Sequence, residues 1–437
     1  MAHLISLQET SITLPEGWKL RAALTPPPHD AIDIDAELKK GLKTPIGASS
    51  PINYDYRGKN VCVVIDDATR PTPVNRIFPT LLNTLLEAGA SGDRLTVLVA
   101  NGTHAPMSKD AIFNRLGVTG KDKINVVNHD AQDESILDDL GVEEGLPLKI
   151  NRLVTASDIV FSIGTIEPHI MAGFGGGYKN IVPGCACLAT VSATHLFGPA
   201  ASRFGSVGRF PEDCAVRRRI DAAAKKAVPN CFIINTVLDP DNAAVGLFCG
   251  EPMEAHHKGC ELAREVWGAP LKEKADILLA SGYPMTHDLC QASKAFSTGI
   301  DALREGGMVL LVLRCHNGLG DYCVSPTNRS YEETKTIVRG QGTEGYVEAK
   351  RKERGENGFS ESMPFYETFL TQSNSEALRK ADIYVTTPDI PFETLSGFGL
   401  FKAFASVEAM IEEARLRFPA ADVVLSPSGG TCFPYFK

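Results

Sequence analysis

Short apolar, β-branched segments that alternate with helical segments constrain the fold of this chain more than any other feature. Helical spacing follows the first two of them, in VNRIFPTLLNTLLEAGA and MSKDAIFNRLG. Strands that alternate with helices form right-handed crossovers and parallel sheets covered on both faces. We therefore predict an α/β fold with a Rossmann-like parallel sheet flanked by helices. The four segments are NVCVVIDD from Asn60, RLTVLVANGTH from Arg94, KINVVNHD from Lys123 and DIVFSIGTIEPH from Asp158.

Polar side chains follow three of these strands at the point where each strand ends. In parallel α/β sheets the ligand site lies outside the carboxyl ends of the strands. The sequence therefore predicts that three loops bring their polar residues to one edge of the sheet. These residues are Asp66, Asp67, Thr69 and Arg70, then Asn101, Thr103 and His104, then Glu167 and His169.

The length of 437 residues predicts more than one domain. A new start near Trp267–Lys274, where WGAPLKEK precedes ADILLASGYP, marks the expected boundary. We predict an N-terminal cofactor-binding domain over residues 1–268 and a smaller α/β domain over residues 269–406, with the active site in the cleft between them. The sequence leaves open whether residues 407–437 return to the first sheet.

Three further segments carry local expectations. The proline-rich residues 1–58 suggest an arm that lies over a domain surface. CQASKAFSTGIDALREGG, residues 290–307, is expected to be a helix that precedes a strand, MVLLVLRC. The charged residues 327–358 are expected to be a solvated helical face or a mobile insert.

Charge and hydropathy exclude several classes of partner. The net charge of -9 argues against nucleic acid, because binding to a phosphate backbone needs a basic patch. No apolar run reaches the length of a membrane span, and Met1–Leu20 lacks the features of a signal peptide. We expect a cytoplasmic protein with neither nucleic acid nor membrane as its partner, and the oligomeric state is not predicted.

The segment from Gly164 to His195 holds a concentration of reactive residues around three successive glycines, Gly175, Gly176 and Gly177. A glycine loop before a helix suits a phosphate or another anion. Lys179 follows the glycines, but the P-loop pattern is not met because Asn180 occupies the Ser/Thr position. Lys179 is alternatively a residue that forms a covalent link to a cofactor. The glycines do not distinguish these two interpretations.

Other candidate residues have plain structural alternatives. His104 and His169 follow sheet strands, where a histidine can exchange a proton near neutral pH, although a loop histidine is more often only a hydrogen-bonding residue. Arg70 suits a carboxylate or phosphate, or else an ion pair with Asp66 or Asp67. Gln291 and Lys294 lie three residues apart on one helix face, which is alternatively an exposed polar face.

Five segments in order resemble the nickel-dependent lactate racemase family. They are DDATRP, ANGTH, EPHIMAGFGGGYKNIVPG, the downstream ATH and the QASK of the second domain. The HxxAGxxGGxK pattern from His169 to Lys179 is the most specific of them, and the resemblance covers most of the chain.

The resemblance implies a cofactor, a nickel-pincer nucleotide, and a role for each matching residue. Lys179 would carry the cofactor covalently through a thioamide bond, and His195 of ATH would be the protein ligand of nickel. Two sulfurs and a pyridinium carbon of the cofactor would complete a square-planar nickel(II) site. Further residues would bind the cofactor or the substrate, or act as acid and base. The residues that would contact the cofactor are Asp67, Thr69, Gly175, Gly176 and Gly177. Those that would bind the substrate are Arg70, Gln291 and Lys294. The acid/base pair would be His104 and His169.

The implied reaction is the racemisation or epimerisation of a 2-hydroxy carboxylic acid. One histidine would remove the hydroxyl proton while hydride passes reversibly to the cofactor, which leaves a 2-oxo acid intermediate. Cys290, where an aromatic residue is expected in lactate-specific relatives, leaves the choice among 2-hydroxy acids open. Cofactor-synthesis enzymes would be transient partners.

Two alternatives remain from the residues alone. A zinc-dependent hydrolase would use His104, His169 and His195 as metal ligands, with Asp67 activating water. A non-catalytic nucleotide-binding protein would use the glycine loop and Arg70 to hold phosphate. The first leaves Lys179 without a role, and the second leaves the paired histidines unexplained.

Overall fold

The computed structural model describes residues 4–7, 10–119, 124–196, 206–320, 322–358 and 360–436. The strands are β1 (Leu4–Leu7), β2 (Thr10–Thr13), β3 (Trp18–Ala23), β4 (Val61–Asp66), β5 (Leu95–Ala100), β6 (Asn125–Asn128), β7 (Leu137–Glu143), β8 (Leu146–Asn151), β9 (Ile159–Thr165), β10 (Pro168–His169), β11 (Gly173–Phe174), β12 (Cys231–Leu238), β13 (Ala244–Gly250), β14 (Gly268–Leu271), β15 (Ala275–Ser281), β16 (Leu303–Val312), β17 (Asp382–Thr386), β18 (Lys402–Phe404), β19 (Ala421–Ser426) and β20 (Phe433–Phe436). The α-helices are α1 (Ile34–Lys43), α2 (Val74–Glu87), α3 (Lys109–Leu116), α4 (Arg152–Thr155), α5 (Leu188–Leu196), α6 (Ala215–Ala227), α7 (Pro252–Trp267), α8 (Leu289–Ala292), α9 (Ala295–Thr298), α10 (Tyr331–Glu356), α11 (Phe365–Lys380), α12 (Phe392–Ser396) and α13 (Val407–Arg417).

The chain divides into two units, and each is built on a six-stranded sheet. The first unit combines Pro28–Phe197 with Gly208–Val266, and the second includes Met1–Pro27 and Trp267–Lys437. The order of the first sheet is β13-β12-β9-β4-β5-β6, and the order of the second is β18-β17-β16-β15-β19-β3. The predicted α/β class with parallel sheets and helices is therefore confirmed.

The first sheet is parallel from β12 to β6, and β13 runs antiparallel to β12 at one edge. Its central strand β4 is buried on both faces, as its continuous apolar sequence VCVVID requires. Val63 and Ile65 pack into a core with α1, α2 and α3, whereas Cys62 and Val64 pack into the core on the opposite face with α6. The alternation of side chains along one strand thus connects two helical layers.

The two ends of the chain differ from the expected domain limits. Trp18–Ala23 pairs in parallel with β19, and β19 pairs with β15 in the second sheet. Residues 407–437 therefore do not return to the first sheet, and Met1–Pro27 does not belong to the first unit. The indole of Trp18 donates to Phe418 O at 2.7 Å, which ties the first end of the chain to the last. The first unit ends at Val266, and the long C-terminal part of the second begins at Trp267.

Three local expectations are corrected. Residues 1–58 are not only an arm, because α1 begins at the N-cap Asp33 and buries Ile34, Leu38 and Leu42. The helix expected over residues 290–307 is two single turns, α8 and α9, and the strand begins already at Leu303. Most of the charged residues 327–358 lie in α10, which has a break at Gly342 and buries several of its side chains rather than being solvated throughout.

No helix among the residues described here is long and apolar enough to cross a membrane.

Candidate active site

The order in which strands are added to the first sheet reverses between β4 and β9. The chain starts the sheet at β4 and places β5 and β6 on one side, and then it returns to place β9 and β12 on the other side. Such a reversal opens a crevice at the carboxyl ends of the two strands, and this is where open α/β sheets bind ligands. The loops that follow β4, β5 and β9 carry the polar residues predicted for the sheet edge, and these three strands are neighbours. The expectation that the loops share one edge is met.

Asp67 joins the loops after β4 and β5. One carboxylate oxygen accepts hydrogen bonds from Thr69 N at 2.7 Å and Thr69 Oγ1 at 2.5 Å. The other lies 2.7 Å from His104 Nδ1. Burial raises the pKa of Asp67, but the hydrogen bonds from His104 and Thr69 outweigh it and lower the pKa to about 2. The ionised carboxylate only accepts, so His104 Nδ1 carries the proton and donates it.

Arg70 joins the loops after β4 and β9. Its Nη1 lies 2.7 Å from Glu167 Oε1, and the two side chains are 29% and 19% exposed. The carboxylate of Glu167 raises the pKa of Arg70. Arg70 thus forms its ion pair with Glu167 and not with Asp66 or Asp67, the partners that the local sequence suggests.

Asp66 holds the loop after β4 in place. It accepts from Thr72 Oγ1 and from Arg115 Nη2, and Arg115 also donates to the carbonyl of Arg70 at 3.1 Å. Burial raises the pKa of Asp66 to about 6, against the attraction of Arg115. Asp66 is therefore a support for the loop that presents Asp67 and Arg70.

His169 lies in a tight hairpin after β9. Pro168–His169 pairs antiparallel with Gly173–Phe174, and the ring folds over the turn between them. Its Nδ1 accepts from the backbone N–H groups of Met171 and Ala172, both at 3.2 Å. An imidazole nitrogen that accepts carries no proton, so the neutral ring has its proton on Nε2.

The glycine run packs onto a buried platform of three side chains, Arg217, Asp221 and His256, that sequence reasoning missed. Arg217, 1% exposed, donates to Phe174 O at 3.2 Å and to Gly176 O at 3.0 Å, and it forms an ion pair with Asp221 at 2.9 Å. Burial, together with the nearby Arg217, lowers the pKa of His256 well below its ordinary value. The neutral ring donates Nε2–H to Gly175 O at 2.8 Å.

The glycines are required by this packing. A Cβ on Gly177 would lie 2.1 Å from Arg217 Nη2, and one on Gly176 would lie 2.8 Å from Ile166 Cγ1. Both glycines have positive φ, at 68° and 59° for Gly176 and Gly177. The interpretation of the run as room for a ligand is therefore incomplete, because these two positions face protein. A signal for the platform existed in the sequence: Arg217 and Asp221 share a helix face with Ile220 and Ala224.

Lys179 is held by backbone contacts beside the glycine run. Lys179 is partly exposed, and its N–H donates to Gly176 O at 3.1 Å. Gly184 N–H donates to Lys179 O, and Gly102 N–H donates to Gly184 O at 3.0 Å, which links this loop to the loop of His104.

His195 lies in the last turn of α5, and its Nδ1 lies 2.8 Å from Val191 O. A carbonyl oxygen only accepts, so Nδ1 carries the proton and Nε2 has the lone pair. The nitrogen available as a metal ligand is therefore Nε2.

Gln291 and Lys294 lie in the second unit, at the short helices α8 and α9. Asp288 caps α8 by accepting from Gln291 N at 2.8 Å, and Lys294 is the residue before α9. A cavity of about 310 Å³ lies at the carboxyl ends of β15, β16 and β17 in the same unit. Its walls include Ser281, Tyr283 and Arg314 but none of the predicted site residues.

Within the described parts of the chain, no group of three or more His, Cys, Asp or Glu side chains is placed to hold a metal ion. His104, His169 and His195 are all described, and they do not form the three-histidine group that the zinc alternative requires.

Comparisons with known proteins identify the family. A family model described as the lactate racemase N-terminal domain matches residues 6–203. The lactate racemase of Lactiplantibacillus plantarum is 31% identical over 296 residues, which span 67% of this chain and 69% of that protein. This chain belongs to the lactate racemase family. The resemblance inferred from the five motifs is thereby confirmed, and the family is one of isomerases.

Two further lactate racemase comparisons agree. The lactate racemase of Thermoanaerobacterium thermosaccharolyticum is 31% identical over 286 residues, 65% of this chain and 66% of that protein, so the matched part is about two thirds of each. The structure of the lactate racemase apoprotein from that organism superimposes with a TM-score of 0.79 at 24% identity and covers 100% of both chains. The lactate racemase fold therefore extends beyond the part matched by the sequence comparisons and includes both units.

Proposed function

We propose that this protein is a racemase or epimerase of a 2-hydroxy carboxylic acid that works with a nickel-pincer nucleotide tethered to Lys179. The observation that carries the proposal is the meeting of Asp67–His104 and Arg70–Glu167 at the reversal of the first sheet. A proton-transferring ring and a guanidinium from neighbouring loops suit a substrate that has both a hydroxyl group and a carboxylate.

The residues of the chain fit the proposed cofactor. The hydrogen bond from His195 Nδ1–H to Val191 O leaves the lone pair of the neutral ring on Nε2. Metal-binding histidines usually donate their other ring N–H in this way to a backbone carbonyl or a carboxylate. Lys179 follows the glycine run in a partly exposed position, and Thr69 and Gly175 lie on the two loops that border the reversal. When bound, the cofactor supplies a hydride acceptor, so that the 2-hydroxy acid passes through a 2-oxo acid.

The proposed roles of the side chains follow from their charges. His104 and His169 move the hydroxyl proton, and two such groups are needed because the two enantiomers present the hydroxyl group in different directions. Arg70 binds the carboxylate of the substrate with its planar fork of donors, of which one already contacts Glu167. Gln291 and Lys294 are proposed as substrate-binding groups of the second unit.

The test is an assay of enantiomer interconversion across a panel of 2-hydroxy acids, with protein produced together with the cofactor-synthesis enzymes. We expect activity on at least one member of the panel, and a loss of about 100-fold or more in His104→Ala or His169→Ala. His257→Ala is the matched control, since that ring contacts Glu212 and Glu261 and is not among the proposed site residues. Full activity in either site variant refutes its assignment, and inactivity of the wild type on every acid favours the nucleotide-binding alternative.

A further inference from the structure

The two histidines proposed to move protons differ in which ring nitrogen is held by the protein as a donor. His104 donates from Nδ1 to the carboxylate of Asp67 at 2.7 Å, and Asp67 is 5% exposed. The second oxygen of Asp67 is held by Thr69 through two hydrogen bonds, so the carboxylate cannot turn away easily. The Nε2 atom of neutral His104 therefore has the lone pair and accepts protons.

His169 is held in the opposite way. Its Nδ1 accepts from the N–H groups of Met171 and Ala172 at 3.2 Å each, inside the hairpin of β10 and β11. Neither backbone group can accept a proton in return. The Nε2 atom of neutral His169 therefore carries the proton and donates.

We propose that the protein holds His104 and His169 in complementary tautomers, and that Asp67 is the positioning residue that sets His104 as the proton acceptor. The consequence for catalysis rests on the proposed function, whereas the tautomers themselves do not. Asp67 then acts through His104, in addition to or in place of the cofactor contact that the family resemblance implies for it.

The arrangement makes the two proton transfers unequal. His104 can take the hydroxyl proton of a substrate at Nε2 at once, and the resulting imidazolium is stabilised by Asp67. His169 cannot give up its single proton from the neutral ring, because an imidazolate would result. It must first gain a proton at Nδ1, which displaces the N–H groups of Met171 and Ala172. The segment from Pro168 to Phe174 must therefore rearrange before His169 acts, and no such movement is needed at His104.

The experiment is imidazole ¹⁵N NMR on cofactor-free protein labelled with [¹⁵N]histidine, at a pH where histidine is mainly neutral. His104→Gln and His169→Gln assign the two signals. We expect His104 to show a protonated Nδ1 and a bare Nε2, and His169 to show the reverse. His256 is the internal reference for a ring protonated at Nε2, since it donates from Nε2 to Gly175 O.

Asp67→Asn tests the positioning role. The amide nitrogen of Asn can donate to Nδ1, so we expect His104 to change to the tautomer with its proton on Nε2 while His169 is unaffected. Thr69→Val is the matched control, because it removes a neighbour of the carboxylate and leaves the carboxylate itself, and we expect it to keep the wild-type tautomer. A wild-type His104 with its proton on Nε2, or a tautomer that does not respond to Asp67→Asn, overturns the proposal.

The cofactor-loaded enzyme separates this inference from the proposed function. We expect Asp67→Asn to lower kcat by about 100-fold or more with a much smaller change in KM, because the wrong tautomer presents a donor where an acceptor is needed. Asp67→Glu should restore part of kcat. Racemisation by the wild type with kcat unchanged in Asp67→Asn refutes the positioning role alone. Expected tautomers without any racemisation refute the proposed function and leave the tautomer assignment supported.

Discussion

Replacement of Arg217 should weaken the attachment of the glycine run to its platform. Arg217 is 1% exposed and has three partners: the carbonyls of Phe174 and Gly176, and the carboxylate of Asp221, itself 3% exposed. Arg217→Met keeps most of the buried volume and removes all three polar contacts. Burial already raises the pKa of Asp221, and Arg217 opposes that rise.

The expected cost follows from the group that is left behind. Arg217→Met leaves the buried carboxylate of Asp221 without its ion-pair partner, and such a loss lowers the free energy of unfolding by about 3–5 kcal/mol. The double variant Arg217→Met, Asp221→Leu removes the orphaned charge as well. Two carbonyls then remain without their donor, which leaves a smaller cost of about 1–3 kcal/mol. The double variant should therefore be more stable than the single variant, although it carries one more substitution.

Urea unfolding followed by circular dichroism measures these free energies, and hydrogen exchange of the segment from Gly173 to Asn180 locates the effect. We expect faster exchange in this segment for Arg217→Met and little change at β17, which belongs to the other unit. A single variant that loses less than about 1 kcal/mol, or a double variant less stable than the single one, would refute the assignment of Arg217 and Asp221 as a coupled support.

Three more predictions concern the loops around the reversal of the sheet. Gly177→Ala should lower the free energy of unfolding clearly more than Gly102→Ala in the same urea assay. Both glycines have positive φ, of 59° and 55°. A Cβ on Gly177 would lie 2.1 Å from Arg217 Nη2, whereas one on Gly102 would meet nothing within 4 Å. Asp67 has a pKa of about 2 in the folded protein against about 3.9 in an unfolded chain. Its contribution of about 2 kcal/mol is thus present above about pH 4 and lost as the pH falls towards 2, and this part of the acid denaturation should be absent in Asp67→Asn. Arg70→Lys keeps the positive charge but loses the planar fork of donors. Steady-state kinetics should therefore show a KM for the substrate raised about 10-fold, with the Lys179 adduct intact. An unchanged KM would contradict a contact between Arg70 and the substrate.

The sequence predicts the placement of the loops because buried parallel strands have an unmistakable pattern. VCVVI is apolar over its full length and is followed by two aspartates, so the position of Asp67 at the sheet edge follows from the residues alone. The same rule places His104 and Glu167 at that edge, since their strands are the neighbours of β4. The strand pattern does not predict which side chains of neighbouring loops contact each other. The contacts of Arg70 with Glu167 and of Asp67 with His104 depend on the directions of side chains in loops.

The sequence is less informative where polar residues are buried or where a strand lies at an edge. Trp18–Ala23 has mostly exposed side chains and reads as a loop, yet it completes the second sheet through backbone bonds to β19. Arg217 stands in the run Arg217–Arg219, which resembles a solvated surface, although its helix face is apolar. Contacts with residues far away in the sequence determine both the edge strand and the burial of Arg217. A local sequence pattern contains little information about such contacts.

Covalent attachment at Lys179 is the central claim, and intact-protein mass spectrometry tests it most directly. Wild-type protein and Lys179→Ala should be produced together with the cofactor-synthesis enzymes, with Lys258→Ala as a matched control, since Lys258 is an exposed residue paired with Glu261. We expect an adduct of nucleotide size on the wild type and on Lys258→Ala, and none on Lys179→Ala. An adduct that persists on Lys179→Ala would contradict the proposal that this lysine carries the cofactor.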